Sequence, residues 1–226
     1  MFSYFKSARN EPLLVYFFVL NILGLFQNFF ENRFYDQGWT VGEWLISYSG
    51  GFVRRGLFGS LIFKISEIIK LNPILLVHII SGISFLIFLF FLLKCKNYFS
   101  YLFLFSPIVS LAPSVGNFII RKDIFGIIAY AFCLYSTIKF EKNHAFLLVN
   151  FISIIAILNH EAYFFYGVLS LIFLRCVFLK AKNIKNKNLI SSIKFVIPSL
   201  LCFLLVLLFK GDSNTANIIH NSWQEH

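Results

Sequence analysis

ILLVHIISGISFLIFLFFLL, Ile74 to Leu93, contains no Asp, Glu, Lys or Arg. Wound as an α-helix at about 1.5 Å per residue, such a run spans roughly the 30 Å hydrocarbon core of a bilayer. The rest of the chain reads the same way. Hydrophobic residues make up 58% and charged residues 13%, with 31 phenylalanines and a mean hydropathy of +0.78. Soluble domains are about half apolar and a quarter charged, so this balance excludes an ordinary soluble domain. Outer-membrane barrels show short alternating segments, not continuous apolar runs. The expected fold is an all-α transmembrane bundle forming a single membrane domain.

About seven spans are expected: Leu13 to Phe30, Ile74 to Leu93, Tyr98 to Ala112, Phe118 to Ile138, Ala145 to Leu158, Tyr163 to Leu179 and Phe195 to Phe209. The first run is followed by Glu31, Asn32 and Arg33, without a small-residue cleavage site, so it reads as a retained span. Cys95, Cys133, Cys176 and Cys202 lie in or beside apolar runs without CxxC spacing. They read as small core residues, neither disulfide nor zinc ligands.

The net charge of +10 comes from lysines in short loops, which is a topology signal and does not suggest nucleic-acid binding. Placing the lysine-rich loop 180–194 in the cytoplasm puts the N-terminal segment 1–12 there too. The loops 31–73 and 210–226 then fall outside, the latter reading as an unfinished loop. On that outer side lie Asp36, Glu43, Asp123, His160, Glu161 and Asp212. Within residues 31–73, Gly56 to Ile69 resembles a further span, but Lys64 and Glu67 would be costly in hydrocarbon. An amphipathic helix on the outer interface is expected instead.

Three groups on that side could carry chemistry. In ENRFYDQGWTVGEWLISYSGGFVRRG, residues 31–56, Arg54 and Arg55 offer forked donors for phosphate beside the permissive Gly50 and Gly51. The plainer reading, of equal weight, is a grip on anionic lipid headgroups with glycines that turn the chain. Asp36 could serve as a base, with Glu43 in reserve, although an Asp that makes a turn with Gly38 accounts for it as well. Arg121, Lys122 and Asp123 sit at a helix start, where free amides reinforce basic groups against an anion and Asp123 could orient them. A snorkelling anchor with an internal salt bridge is the alternative.

Asn159, His160 and Glu161 interrupt an apolar stretch too short for two full crossings. The turn should therefore lie slightly below the membrane surface, with His160 as base or acid and Glu161 orienting it. A zinc-protease HExxH motif is excluded because Phe164 stands where its second histidine must be. No Walker loop, GxSxG elbow or internal repeat is present.

With a cytoplasmic N-terminus, an acid early in the first outer loop and interfacial helices, the chain resembles the GT-C superfamily of polyprenyl-phosphate-sugar glycosyltransferases. That resemblance implies catalysis or metal binding at Asp36, with Glu43 in reserve, and a divalent metal as the one cofactor to consider. The outward arginines with a histidine also resemble O-antigen and capsule polymerases, which bind undecaprenyl pyrophosphate without metal. That resemblance implies roles for Arg54, Arg55, Arg121 and His160. GGFVRRG is similar to segments of membrane proteins from such polysaccharide gene clusters. Together the resemblances imply sugar transfer or polymerisation from a polyprenyl-(pyro)phosphate donor, outside the bacterial inner membrane. Lys122 would help to hold the phosphate. The partners implied are a polyprenyl-linked sugar and membrane lipid. A transporter or flippase of a lipid-linked or anionic substrate, or a non-enzymatic membrane subunit, is the competing expectation.

Overall fold

The computed structural model describes Val19, residues 21–24, Phe26 and residues 39–95, 121–140, 142–181 and 188–224. Among them every regular element is helical and no strand occurs. The expected spans over 13–30 and 98–112 lie largely or wholly outside the described residues, as does Asp36.

The helices are α1 (Trp39–Leu45), α2 (Gly56–Ile69), α3 (Pro73–Cys95), α4 (Asp123–Lys139), α5 (Lys142–Asn159), α6 (Leu169–Ala181), α7 (Asn188–Phe195), α8 (Ile197–Leu208) and α9 (Ser213–Gln224). A π-helical turn, Phe164–Val168, leads into α6. Helix starts follow local chemistry. Pro73 occupies the first position of α3, where its missing N–H costs nothing, and the Asn72 side chain accepts a hydrogen bond from Ile74 N at 2.8 Å. The Asp212 carboxylate likewise accepts from Thr215 N at 2.7 Å and caps α9.

One described helix, Pro73–Phe91 within α3, is long and apolar enough to cross a membrane. A second candidate is the pair α7 and α8, bent by 63° between Phe195 and Ile197. Asn143–Asn159 and Phe164–Val177 are apolar but shorter. Seven full-length spans are thus more than the described helices display by length and composition.

Asn150 closes the bend between α7 and α8. Its amide donates to Phe195 O at 2.8 Å, and its carbonyl oxygen accepts from both Ser199 N and Ser199 Oγ, at 3.2 and 2.8 Å. Backbone groups orphaned at the break thereby find partners from a neighbouring helix.

Helices α4 and α5 run antiparallel. Lys122 meets Asn159 at one end of the pair, and Cys133 meets Val149 and Ser153 near the middle. A core of Cys133, Val149, Ile157, Tyr163, Val168 and Val206 joins them to the π turn, α6 and α8. A second core, with Val41, Trp44, Ile62 and Val77, joins α1, α2 and α3. Helix α2 buries Gly56, Gly59, Ile62, Phe63 and Ser66 on one face while Ile68 stands 79% exposed on the other. The exposed side mixes apolar Leu61, Ile65 and Ile68 with Lys64 and Glu67.

The C-terminal segment is helical where a loop is expected from the sequence. Residues 213–224 form α9, held to α1 by Trp223, whose Nε1 donates to Leu45 O at 3.0 Å. Gly42 and Gly50 allow this approach, because a Cβ at either would press on Trp223 or Thr215.

Candidate functional site

The starts of α2 and α4 and the ends of α5 and α8 meet at one end of the bundle. Arg54 N donates to Phe209 O at 3.1 Å, which ties the arginine turn to the end of α8. Arg55 precedes α2 with φ 66°, a left-handed backbone unusual for a residue with a side chain. That turn sends two adjacent arginines into different surroundings.

Arg55 points inward. Its Nε and Nη2 donate to the two oxygens of Glu161, each at 2.7 Å, and its Nη1 donates to Glu43 Oε1 at 2.6 Å. Both carboxylates are largely buried. Bidentate, charge-assisted bonds of this kind are strong and geometrically exacting. The Glu161 bonds raise the Arg55 pKa against the opposing effect of burial. Burial likewise works against ionisation of Glu161, but the Arg55 bonds outweigh it and hold the carboxylate down to about 2. Arg54 is left at the rim, 44% exposed, with its Nη1 3.6 Å from Glu161.

Lys122 stands behind the arginine turn and is only 1% exposed. Its Nζ donates to Arg55 O and Asn159 O, both at 3.4 Å, and lies 5.7 Å from the Trp44 ring centroid. Burial draws its pKa down to about 7, with Arg55 acting in the same direction and Glu43 and Glu161 opposing. It cannot be the exposed phosphate ligand expected at a helix start. Its place is inside, tying the arginine turn to the end of α5.

Arg121 and Asp123 pair with each other at 2.9 Å, so the salt bridge of the plainer reading is present. His160 departs from expectation twice. Glu161 is committed to Arg55 and does not orient it, and His160 Nδ1 accepts from Ala162 N at 3.2 Å. A neutral imidazole has one donor and one acceptor nitrogen, so Nε2 then carries the proton. Burial, and next the nearby Arg55, push its pKa down and favour that neutral form. In that form Nε2 can donate a hydrogen bond.

Beside the cluster opens a cavity of about 550 Å³, walled by Val53, Arg54 and Arg55 on one side and by Lys210, His220 and Trp223 on the other. Ile46 and Ile219 add apolar wall, and Asp212 and Asn217 add polar groups. This size suits a small-molecule ligand. Lys210, His220 and Trp223 escaped sequence reasoning, and the one signal for them was a polar segment, with its own amphipathic period, after the last apolar run.

Glu43 and Glu161 are both taken up by Arg55. Among the described residues no group of three or more His, Cys, Asp or Glu converges to hold a metal ion. Comparisons with protein-family models, curated proteins and solved structures give no match for this chain.

Proposed function

We propose that the chain is a multi-pass protein of the bacterial inner membrane, and that it transfers or polymerises sugars from a polyprenyl-(pyro)phosphate-linked donor at the face bearing the charge cluster. The observation that carries this reading is the cavity rimmed by half-exposed Arg54 and by Lys210 at the end of a bundle with apolar outer faces. Phe90, Phe132, Phe173 and Leu205 are between 45 and 67% exposed on α3, α4, α6 and α8. Apolar surface on so many helices is foreign to a protein in water and fits hydrocarbon. A polyprenyl tail would lie along these faces with its phosphate beside the cations.

In this reading Arg54 and Lys210 hold the donor phosphate. The acceptor hydroxyl oxygen attacks the anomeric carbon as the bond from that carbon to the phosphate oxygen breaks. The bonding pair leaves with the phosphate, where the two cations offset the charge. His220, on the cavity wall, takes the hydroxyl proton. Arg55, locked between Glu161 and Glu43, sets the position of the turn that carries Arg54. Asp36 remains a second candidate base, outside the described residues.

The test is turnover by purified protein in proteoliposomes supplied with a radiolabelled polyprenyl-linked sugar and an acceptor glycan. Product that is lost in Arg54→Ala and His220→Gln, with both variants still inserted, supports the transferase. Movement of intact donor across the vesicle wall without bond cleavage would replace it with a flippase.

A further inference from the structure

We infer that the bundle carries a second anion site, away from the charge cluster, in which Arg175 of α6, assisted by Lys194 of α7, binds the phosphate of an anionic membrane lipid. This needs the membrane placement proposed above and none of the sugar chemistry.

Arg175 interrupts the apolar run LSLIFLRCVFLKA. It follows the start of the π turn, Phe164, along about 16 Å of helix that leads away from Glu161. Its guanidinium carbon lies 3.7 Å from the centroid of the Phe195 ring. Phe195 is buried and meets the Phe146 ring edge to face, so the arginine rests on a fixed platform. A ring face attracts a cation but does not satisfy the five N–H donors of a guanidinium. The Arg175 Nε is buried without a hydrogen-bond partner, and among the described residues no carboxylate pairs with Arg175. No Asp or Glu occurs between Glu161 and Asp212. Neither α6, α7, α8 nor the segment joining α6 to α7 can therefore supply the counter-charge.

The second cation comes from α7. Cys176 Sγ donates to Ser192 Oγ at 3.3 Å, which ties α7 to α6 one residue after Arg175 and two before Lys194. Lys194 is exposed and immediately precedes Phe195. Phe173 on α6 and Leu189 and Ile190 on α7 are between 56 and 67% exposed. Forked donors suit a phosphate, and apolar side chains around them suit acyl chains. A lipid offers both, whereas a soluble anion offers only the first. The depth agrees, because Arg175 lies about 8 Å of helix before Lys180, where the lysine-rich loop begins, within reach of a headgroup by snorkelling. Since Phe195 ends α7 at the 63° bend, a lipid bound there also steadies the bend.

The test is native mass spectrometry of the purified full chain, titrated in detergent with phosphatidylglycerol, phosphatidylcholine or sn-glycerol 3-phosphate. Phosphatidylglycerol should be retained at about fivefold lower concentration than phosphatidylcholine, or better, as expected from one cation near a membrane surface. Arg175→Gln should remove that preference and Lys194→Gln should reduce it, while Lys64→Gln on α2 should leave it unchanged. Lys194 is exposed, so its variant reads the site even if Arg175→Gln fails to fold. Equal retention of the two lipids, or a preference that survives both variants, overturns the inference. Tight binding of glycerol phosphate makes the site one for free phosphate and overturns the lipid assignment. A preference that emerges only in Glu141→Gln would give Arg175 that carboxylate as its partner, with the same consequence. The transferase reading of the cavity stands or falls separately.

Discussion

Arg55 and Glu161, 106 residues apart in sequence, meet in a two-pronged ion pair with both bonds at 2.7 Å. It joins the arginine turn to the connection between α5 and α6. Removing one partner of a largely buried pair leaves the other charge stranded. Glu161→Ala should therefore cost about 3 kcal/mol or more of stability. Arg54→Ala, at the exposed rim and 3.6 Å from the same carboxylate, should cost less than about 1 kcal/mol. Thermal unfolding in detergent separates the two, and equal losses would mean that the pair does not anchor the turn.

The pH dependence has two windows. Glu161 is held down to about 2 from an ordinary 4.5, so its contribution is present above about 4.5 and is lost as pH falls toward 2. Glu161→Gln should flatten that acid limb. Lys122 is lowered as well, from 10.5 to about 7, but by burial. The unfolded chain binds a proton there that the native chain has released, so stability rises between about 7 and 10.5. Chemical unfolding followed across pH should show that rise in wild type and not in Lys122→Met.

Asn150 satisfies three polar groups at the break between α7 and α8. Asn150→Leu keeps the volume and removes every partner. It should cost about 1–3 kcal/mol through the backbone groups left unpaired, read as a lower unfolding temperature. Ser199→Ala removes one of those bonds and should cost less.

Two glycines give opposite outcomes. A Cβ on Gly59 would run into the Ile46 carbonyl, whereas a Cβ on Gly82 meets nothing within 4 Å. Gly59→Ala should push α2 off the chain beneath it and destabilise the cluster. Gly82→Ala, in mid-helix, should be neutral or stabilising by up to about 1 kcal/mol. Comparing their unfolding temperatures checks both.

The helical character, and the gathering of Glu43, Arg54, Arg55, Lys122, His160 and Glu161 at one end, were legible in sequence. Apolar runs of known length force the polar breaks to a common level. The division of labour was not legible. Two adjacent arginines look alike in one dimension, and only the left-handed turn at Arg55 sends one inward and leaves the other at the rim. Lys122 reads as an exposed cation until the end of α5 covers it. His160 reads as partnered by Glu161 because they are neighbours in sequence, yet the stronger attraction of Arg55 claims that carboxylate. Helix α9 was missed because its support comes from α1 and Gly50, far away in the chain, and not from its own hydrophobicity.

The π turn at Phe164–Val168 lets the chain carry one extra residue without turning the charged end. A π turn carries about one more residue than the α turn it replaces. Deleting one of its five residues would let the helix run on as regular α through nearly the same total angle, because five residues at the wider π pitch turn about as far as four at α pitch. Glu161 would keep its aim at Arg55, whereas the same deletion within α6 would rotate it by about 100° relative to the helix beyond. The π turn is thus a slack residue in an otherwise uniform phenylalanine-rich stretch, one the charge cluster can lose without losing its aim.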